Sequence, residues 1–423
     1  MDSFIRRVTF WCLDIIKGSK VLKNVKEIKK IINVGKSNQK QLNNILAYAC
    51  NNSDYYKKIN STNLKDFPVM DKKKLVEAYD KILIGDINEK KLHWTCTSGS
   101  TGTPLKIPQD REKRNRTKAD LIFFNKKADW QLGDKYVFIR SWTSQYKMSK
   151  LRIFAQNFIM IDTNTFNDKS KEELRKLLKK DKKIKCILGY SSALTSFVEY
   201  LQRKKDNASM FHINVIVTAS DELTQSAKKQ LKKMFNCKII NRISNEEHGL
   251  LAMNFDNTDY FTLNTASYYF EILKLDSDIP AEFGELGRLV VTDLYNKKFP
   301  LIRYDIGDLA IGISKDNKGS INKLSSFEGR SGDILYNSDG APITCVSLST
   351  HLCTIPGISH YQLQIKNNVK TLCIVPSDEK IDNNLLKQKL NEIFGKKEKI
   401  NVEMVKNISL EKNGKYRTIK FIK

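Results

Sequence analysis

Between Ile184 and Ile243, short apolar runs alternate with stretches of helical period, and no other feature of the chain restricts its fold as much. Ile184–Leu188 reads as a strand. Residues 192–203 read as a helix with Leu194, Phe197, Val198 and Leu201 on one face. A second strand (Val215–Thr218), a second helix (223–235, with Leu223, Ala227, Leu231, Met234 and Phe235 inward) and a third strand (Lys238–Ile243) follow. This order predicts parallel strands joined by helical crossovers. Open parallel sheets take ligands beyond the carboxyl ends of their strands. Here those ends are Gly189-Tyr190-Ser191, Ala219-Ser220-Asp221 and Ser244–His248, polar or glycine-containing as a binding edge requires and as strand ends commonly are.

The flanking segments extend the pattern. Residues 41–50 place Leu42, Ile45, Leu46 and Ala49 on one helical face, and residues 261–313 switch to short strands and turns, which predicts an antiparallel or barrel-like section. Beyond Phe327–Asp333, Tyr361–Ile365 and Thr371–Val375 read as strands paired around Asn367-Asn368. A helix entered at Asp382 and stopped at Gly395 follows, then a strand over Val402–Val405. The expectation is an α/β protein: a large N-terminal domain of layered sheets and helices over 1–329 and a small α+β C-terminal domain over 330–423.

Composition excludes some classes. No apolar run is long enough to span a bilayer. Near the start, Phe4, Val8, Trp11, Cys12 and Ile15 recur at helical spacing beside Arg6 and Arg7. This helix either docks on the body of the protein, the favoured reading, or lies on a membrane surface. The formal charge is +26, but the lysines are scattered and carry no nucleic-acid signature, so nucleic acid is not expected as a partner. Eight cysteines without a C-x-x-C pair predict free thiols in a reducing cytoplasm. Neither they nor the dispersed histidines suggest zinc.

The segment most suggestive of chemistry is Thr97-Ser98-Gly99-Ser100-Thr101-Gly102-Thr103-Pro104, entered from a strand-like run ending at Cys96. Glycines let backbone N–H groups converge and hydroxyls add donors, so such a loop suits a polyphosphate. It lacks the Gly-Lys-Ser/Thr ending of a Walker loop, and an ordinary polar hairpin loop has the same residue types.

Together with three other segments this loop resembles the acyl-adenylating, AMP-forming carboxylate ligases. The closer branch is the phenylacetate–coenzyme A ligase type, with its relatives from capsule and surface-polysaccharide biosynthesis. Gly284-Glu285 through Val291-Thr292-Asp293-Leu294 and Pro300–Asp308 resemble the family's GEL…VVTDL…PLIRY..GDL stretch. Phe327–Asp333 resembles its GR.DD domain junction, and Asn413-Gly414-Lys415-Tyr416-Arg417 its GK ending. The resemblance runs from about Leu42 to Arg417.

The resemblance implies a reaction: attack of a small carboxylic acid on the α-phosphorus of ATP, giving an acyl-adenylate and pyrophosphate. Ser98, Gly99, Ser100, Thr101, Gly102 and Thr103 would hold the β- and γ-phosphates. Asp308 would accept from the ribose hydroxyls, Tyr304 would line the nucleotide pocket, and Arg330 would meet ribose or phosphate. Glu247, with Glu246 as the alternative, would bind Mg²⁺, and Lys415 would stabilise charge between carboxylate and α-phosphate. A thiol, coenzyme A or an acyl carrier, or a polysaccharide would accept the acyl group, at the inner face of the membrane if the first helix is interfacial. Three departures bear on this. Ile243-Ser244 stands where the family has Tyr-Gly, Leu105 separates Pro104 from Lys106, and Gly332 occupies the pivot position. The alternative is a catalytically altered nucleotide-binding scaffold of a polysaccharide assembly system.

Overall fold

The computed structural model describes residues 2–422 apart from 36–37, 87–91, 97–104, 143–147, 256–257, 318, 331–334, 339, 341, 353, 378, 397 and 410–416. The chain opens with helices α1 (Ser3–Ile16), α2 (Lys20–Val34), α3 (Gln39–Asn52), α4 (Lys72–Glu77) and α5 (Tyr79–Ile82). Strands β1 (His93–Cys96) and β2 (Lys106–Gln109) precede α6 (Arg111–Lys127). Alternation then begins: β3 (Lys135–Arg140), α7 (Lys150–Gln156), β4 (Phe158–Asp162), α8 (Asp168–Lys180), β5 (Ile184–Tyr190), α9 (Ser191–Arg203), β6 (Val215–Ala219) and α10 (Gln225–Phe235). Strands β7 (Lys238–Asn245), β8 (Gly249–Asn254), β9 (Phe261–Leu263), β10 (Tyr268–Leu273), β11 (Leu286–Asp293), β12 (Tyr304–Lys315) and β13 (Ile321–Arg330) follow. The C-terminal segment holds β14 (Leu335–Tyr336), β15 (Pro342–Ile343), α11 (Cys345–Leu352), β16 (Ile358–Lys366), β17 (Val369–Pro376), α12 (Asn383–Phe394), β18 (Ile400–Met404) and β19 (Ile419–Phe421).

These elements form two compact units, one of Met1–Lys135, Met148–Asn157 and Ile240–Phe327, the other of Tyr136–Lys147, Phe158–Ile239 and Glu328–Lys423. In the first unit the strand order is β10-β11-β12-β13-β9-β8-β7. Antiparallel pairing joins β10 to β11, β11 to β12, β13 to β9, β9 to β8 and β8 to β7. The expected face of α3 (Leu42, Ile45, Leu46, Ala49) is buried in one core with Phe270, Leu289 and Val291 of the sheet. In the second unit the order is β6-β5-β3-β4, with β5 parallel to β6 and β3 parallel to β4, as the crossover pattern predicts. Leu194, Phe197, Val198 and Leu201 of α9 and Leu231 and Phe235 of α10 share its core with Ile187 and Ile216.

The C-terminal segment forms a sheet of order β18-β17-β16-β19. Its hairpin has the expected register, Tyr361 opposite Ile374 and Ile365 opposite Lys370. Asn367 and Asn368 both adopt positive φ, 49° and 63°, the conformation Asn tolerates best among non-glycine residues. The Asp382 side chain caps α12 as expected. The last strand, β19, pairs parallel to β16 and falls outside the sequence expectation.

One expectation is met only in part. Helix α1 forms and Trp11 of the expected face, with Phe10 beside it, packs against the core of Val21, Ile28 and Ile31, but Phe4, Val8, Cys12 and Ile15 are exposed and the helix also buries Arg6 and Asp14. Both charges have partners. Arg6 donates to the Phe154 carbonyl, and Asp14 accepts from the Val21 and Leu22 amides at 3.1 and 2.9 Å. Apolar packing of Phe10 and Trp11 and these polar contacts together orient the helix. Among the described residues no helix is long and apolar enough to cross a membrane, and seven cysteines are free.

Candidate active site

The first unit gathers three of the sequence-marked segments. Strands β1 and β2 pair antiparallel, His93 opposite Gln109 and Cys96 opposite Lys106. The hydroxyl-rich loop that joins them, with Ser98, Gly99, Ser100, Thr101, Gly102 and Thr103, lies outside the described residues. Its two ends are anchored. The Thr95 hydroxyl donates to the Ile107 carbonyl at 3.2 Å, and the Tyr79 hydroxyl to the Lys106 carbonyl at 2.6 Å.

Glu246, Glu247 and His248 form the turn between β7 and β8, where Asn245 pairs with Gly249. Gly249 has φ +102°, a value that side-chain-bearing residues rarely adopt, which explains a glycine at this exit. The Asn245 carboxamide oxygen accepts from the His248 amide at 2.8 Å and faces His248 Nδ1 at 3.2 Å. From β2, Gln109 Nε2 donates to the Glu247 carbonyl at 3.3 Å, so the strand leaving the hydroxyl-rich loop touches the acidic turn.

Asp308 stands on a bulge. Strand β12 pairs Asp305 with Val290 and Leu309 with Arg288, so Ile306, Gly307 and Asp308 together face Leu289 alone. Gly307 supplies φ +75° at this point. Bulges re-aim side chains and are frequent beside active sites. This one is held on both sides. Asp305 accepts from the Gly307 amide and from Arg288 Nη1, both at 2.9 Å. Arg303 grips Glu271 with Nε and Nη2 at 3.1 Å each and donates to the Phe67 carbonyl at 2.9 Å. The first charged residues of the Arg-Tyr-Asp-Ile-Gly-Asp run, Arg303 and Asp305, thus brace the strand on either side of the bulge.

Tyr304 and His248 join the acidic turn to the bulged strand. Their rings stack at 5.9 Å with 28° between planes. Tyr304 is buried and packs in the core, its hydroxyphenyl ring against His248. His248 is fully buried, and that burial pushes its imidazole down to about 3, so the ring is neutral; its Nε2 has no hydrogen-bond partner among the described residues. Of the other expected site residues, Arg330 ends β13 with its side chain outside the described set, and Lys415 lies in 410–416, outside it as well. Arg417 accepts at its carbonyl from Gln362 Nε2 at 2.8 Å, which fixes the exit of that segment.

Sequence reading missed the buried support of the acidic turn. Lys113 of α6 and Asp293 at the end of β11 form a fully buried ion pair at 2.5 Å. Lys113 also donates to the Tyr268 hydroxyl at 3.0 Å, and Tyr268 in turn donates to the His248 carbonyl. Asp293 accepts further from the Tyr295 and Asn296 amides at 2.9 and 3.2 Å. Burial, with the Asp293 charge beside it, pushes the Tyr268 phenol well above its ordinary range, so it acts as a donor. The only signal in the sequence was the Asp in the Val-Val-Thr-Asp-Leu run, whose cationic partner comes from a distant helix.

Comparison with known proteins agrees with this architecture. Residues 335–421 match the family described as the CapK C-terminal domain. Protein CapK of Staphylococcus aureus is 24% identical over 399 residues, covering 88% of this chain and 85% of CapK. Among solved structures, 2-hydroxyisobutyryl-CoA ligase in the postadenylation state, in complex with 2-HIB-AMP, aligns with a TM-score of 0.68 at 17% identity, over 90% of this chain and 88% of the ligase. ATP-bound MatB from Rhodopseudomonas palustris aligns with a TM-score of 0.54 at 14% identity, over 76% of this chain and 65% of MatB. The chain has the fold of the adenylate-forming ligases, with a smaller C-terminal domain, and is similar to CapK.

Proposed function

We propose that this protein activates a small carboxylic acid with ATP, releasing pyrophosphate and forming an acyl-adenylate. The observation that supports it most is that one unit holds the turn carrying Glu247, linked to the strand after the hydroxyl-rich loop by Gln109 and to the strand carrying Asp308 by the His248–Tyr304 stack. In this reading the loop residues Ser98–Thr103 bind the β- and γ-phosphates through backbone N–H groups and hydroxyls. The Asp308 carboxylate accepts from both ribose hydroxyls, Arg330 meets ribose or phosphate, and Tyr304 backs the nucleotide through the His248 stack. Lys415 holds charge between the incoming carboxylate and the α-phosphate. Catalysis is then positioning plus fixed charge, since the reacting oxygens need no covalent help from the protein.

Glu247 and Glu246 fit a magnesium ion. Mg²⁺ takes one or two carboxylates and fills its remaining positions with phosphate oxygens and water, and this turn offers carboxylates next to a phosphate-binding segment. When bound, the ion would neutralise charge on the phosphates. The domain division we propose remains 1–329 and 330–423, with Lys415 on the smaller part. Its partners would be a small or polar acid and a thiol acceptor, coenzyme A or an acyl carrier, in surface-polysaccharide biosynthesis at the inner face of the membrane. The likeness to CapK and to CoA ligases supports that assignment.

ATP–pyrophosphate exchange over a panel of carboxylic acids tests the reading without knowledge of the acceptor. At least one acid should drive exchange that Lys415→Ala abolishes. Exchange that never rises above that variant, with ATP still bound, would favour the scaffold alternative suggested by Ile243-Ser244. Asp308→Ala should raise the KM for ATP by about tenfold to thirtyfold, the worth of a charge-assisted hydrogen bond at a partly exposed site, with a smaller change in kcat. A KM within twofold of the parent protein would remove Asp308 from the ribose site (about twofold is within ordinary mutational scatter).

A further inference from the structure

Helix α1 sets Phe10 and Trp11 against the core but leaves a second apolar face outward. It buries Arg6 and Asp14 and sends Phe4, Ile5, Val8, Ile15 and Ile16 outward, with Phe4 66% and Ile16 79% exposed. The inward face is fixed by specific partners. Arg6 lies over the Phe154 ring at 4.4 Å while donating to its carbonyl, and Asp14 caps the start of α2. Phe4, Ile5, Val8, Ile15 and Ile16 are thus left exposed among the described residues. Helix α7, held to α1 through that Arg6–Phe154 contact, adds Leu151, 76% exposed. Exposed apolar side chains on two helices that touch mark a candidate interaction site.

Its surroundings define the partner. Burial, and after it the neighbouring cations Arg114, Lys17, Arg152 and Arg111, lower the ammonium of Lys118 of α6 from its usual range. Arg114 is lowered by burial and then by Arg152. Lys17 is the C-cap of α1, and Arg152 follows Leu151 on α7, so the cation cluster abuts the apolar face. Among the described residues the charges acting on Lys118 are all cationic. A second copy of the chain would bring the same cations against these. An apolar partner would leave them uncompensated. A bilayer with anionic lipid satisfies both features, since its acyl boundary receives the apolar side chains and its phosphates meet the cations. A formal charge of +26 adds long-range attraction to such a surface.

We propose that α1 and α7, rimmed by Lys17, Arg111, Arg114, Lys118 and Arg152, form the face by which this protein docks on an anionic membrane. The inference shares with the proposed function only its location at a membrane and does not depend on the adenylation chemistry. The test is sedimentation of the full chain with vesicles of phosphatidylcholine alone and of phosphatidylcholine with about 30% phosphatidylglycerol. Binding is expected to the mixed vesicles and not to the neutral ones. It should fall by at least about tenfold in Val8→Glu/Ile15→Glu, because each carboxylate would have to enter the acyl boundary. It should also fall in Arg114→Glu/Lys118→Glu, and at about 0.5 M salt. Absence of binding to anionic vesicles, or binding unchanged by Val8→Glu/Ile15→Glu, would overturn the proposal. So would self-association that the same variant abolishes without any vesicle binding, since that assigns the face to a second copy. Circular dichroism of the variant, matching the parent chain, confirms that a loss of binding is not a loss of fold. Vesicle binding by a protein that drives no exchange would sink the proposed function and leave this inference standing.

Discussion

Lys113→Met lowers the stability of the first unit by about 3–5 kcal/mol, read as a shift of the urea midpoint at constant slope. Both partners of the Lys113–Asp293 pair are fully buried. Burying two charges is unfavourable in itself, and their attraction in a low-dielectric interior offsets it only while both are present. Methionine fills the lysine stem's volume but leaves a carboxylate in the core, held by the Tyr295 and Asn296 amides without a cation. The Tyr268 hydroxyl loses its donor at the same time, which loosens the contact that steadies the acidic turn through the His248 carbonyl. Lys297→Ala is the control. Lys297 meets Glu112 at 3.0 Å with both side chains exposed, and such a pair is worth about 0–1 kcal/mol because water screens it. Equal shifts for the two variants would show that the Lys113 pair is not the buried support described above.

The parts of this fold that the sequence carries openly are those set by local chemistry. The period of α3 and α9, the apolar runs of β5 and β6, the Asn367-Asn368 turn and the Asp382 cap each depend on residues close together in the chain, and each is found where its pattern lies. Orientation is a different matter. The stripe Phe4, Val8, Trp11, Ile15 establishes that α1 is amphipathic but not which face packs, which involves distant segments: Phe10 and Trp11 pack against the cluster holding Ala119, and Arg6 meets Phe154. The bulge at Ile306–Asp308 shows the same limit. Gly307 permits it, but only the pairing with β11 creates it. Glu247 and Asp308 were legible as motif positions; the His248–Tyr304 stack and the Lys113–Tyr268 support that connect and hold them were not, because every contact there joins distant segments.

Glu222 gives the second large effect, and it is a pH dependence. This residue follows β6 in the second unit. It accepts from the Ser349 hydroxyl of α11 and from Thr418, beside β19, at 2.7 Å. Ser349 is itself within 2.5 Å of the Tyr361 hydroxyl on β16. The seam continues at Glu199 of α9, which accepts from the Ser359 hydroxyl at 3.4 Å. Burial, reinforced by the Glu328 and Asp221 carboxylates, pushes the Glu222 carboxyl up to about 7 against the two hydroxyl bonds. A carboxyl whose folded value lies above its ordinary 4.5 favours the protonated fold. Its contribution is present in full below pH 4.5, diminishes as pH rises through the interval up to 7, and is absent above it. The shift corresponds to at most about 3 kcal/mol, reduced by the partial exposure of the side chain. Glu222→Gln keeps the shape and removes the titration. The stability of the variant relative to the parent protein should therefore rise by about 2–3 kcal/mol between pH 4.5 and 7.5 and then level off. Urea melts at half-unit pH steps measure that difference directly, and titrating groups not coupled to Glu222 cancel in it. A difference that stays flat across the interval, or that falls, would mean that Glu222 is ionised in the folded protein and that Ser349 and Thr418 bind it as an ordinary carboxylate.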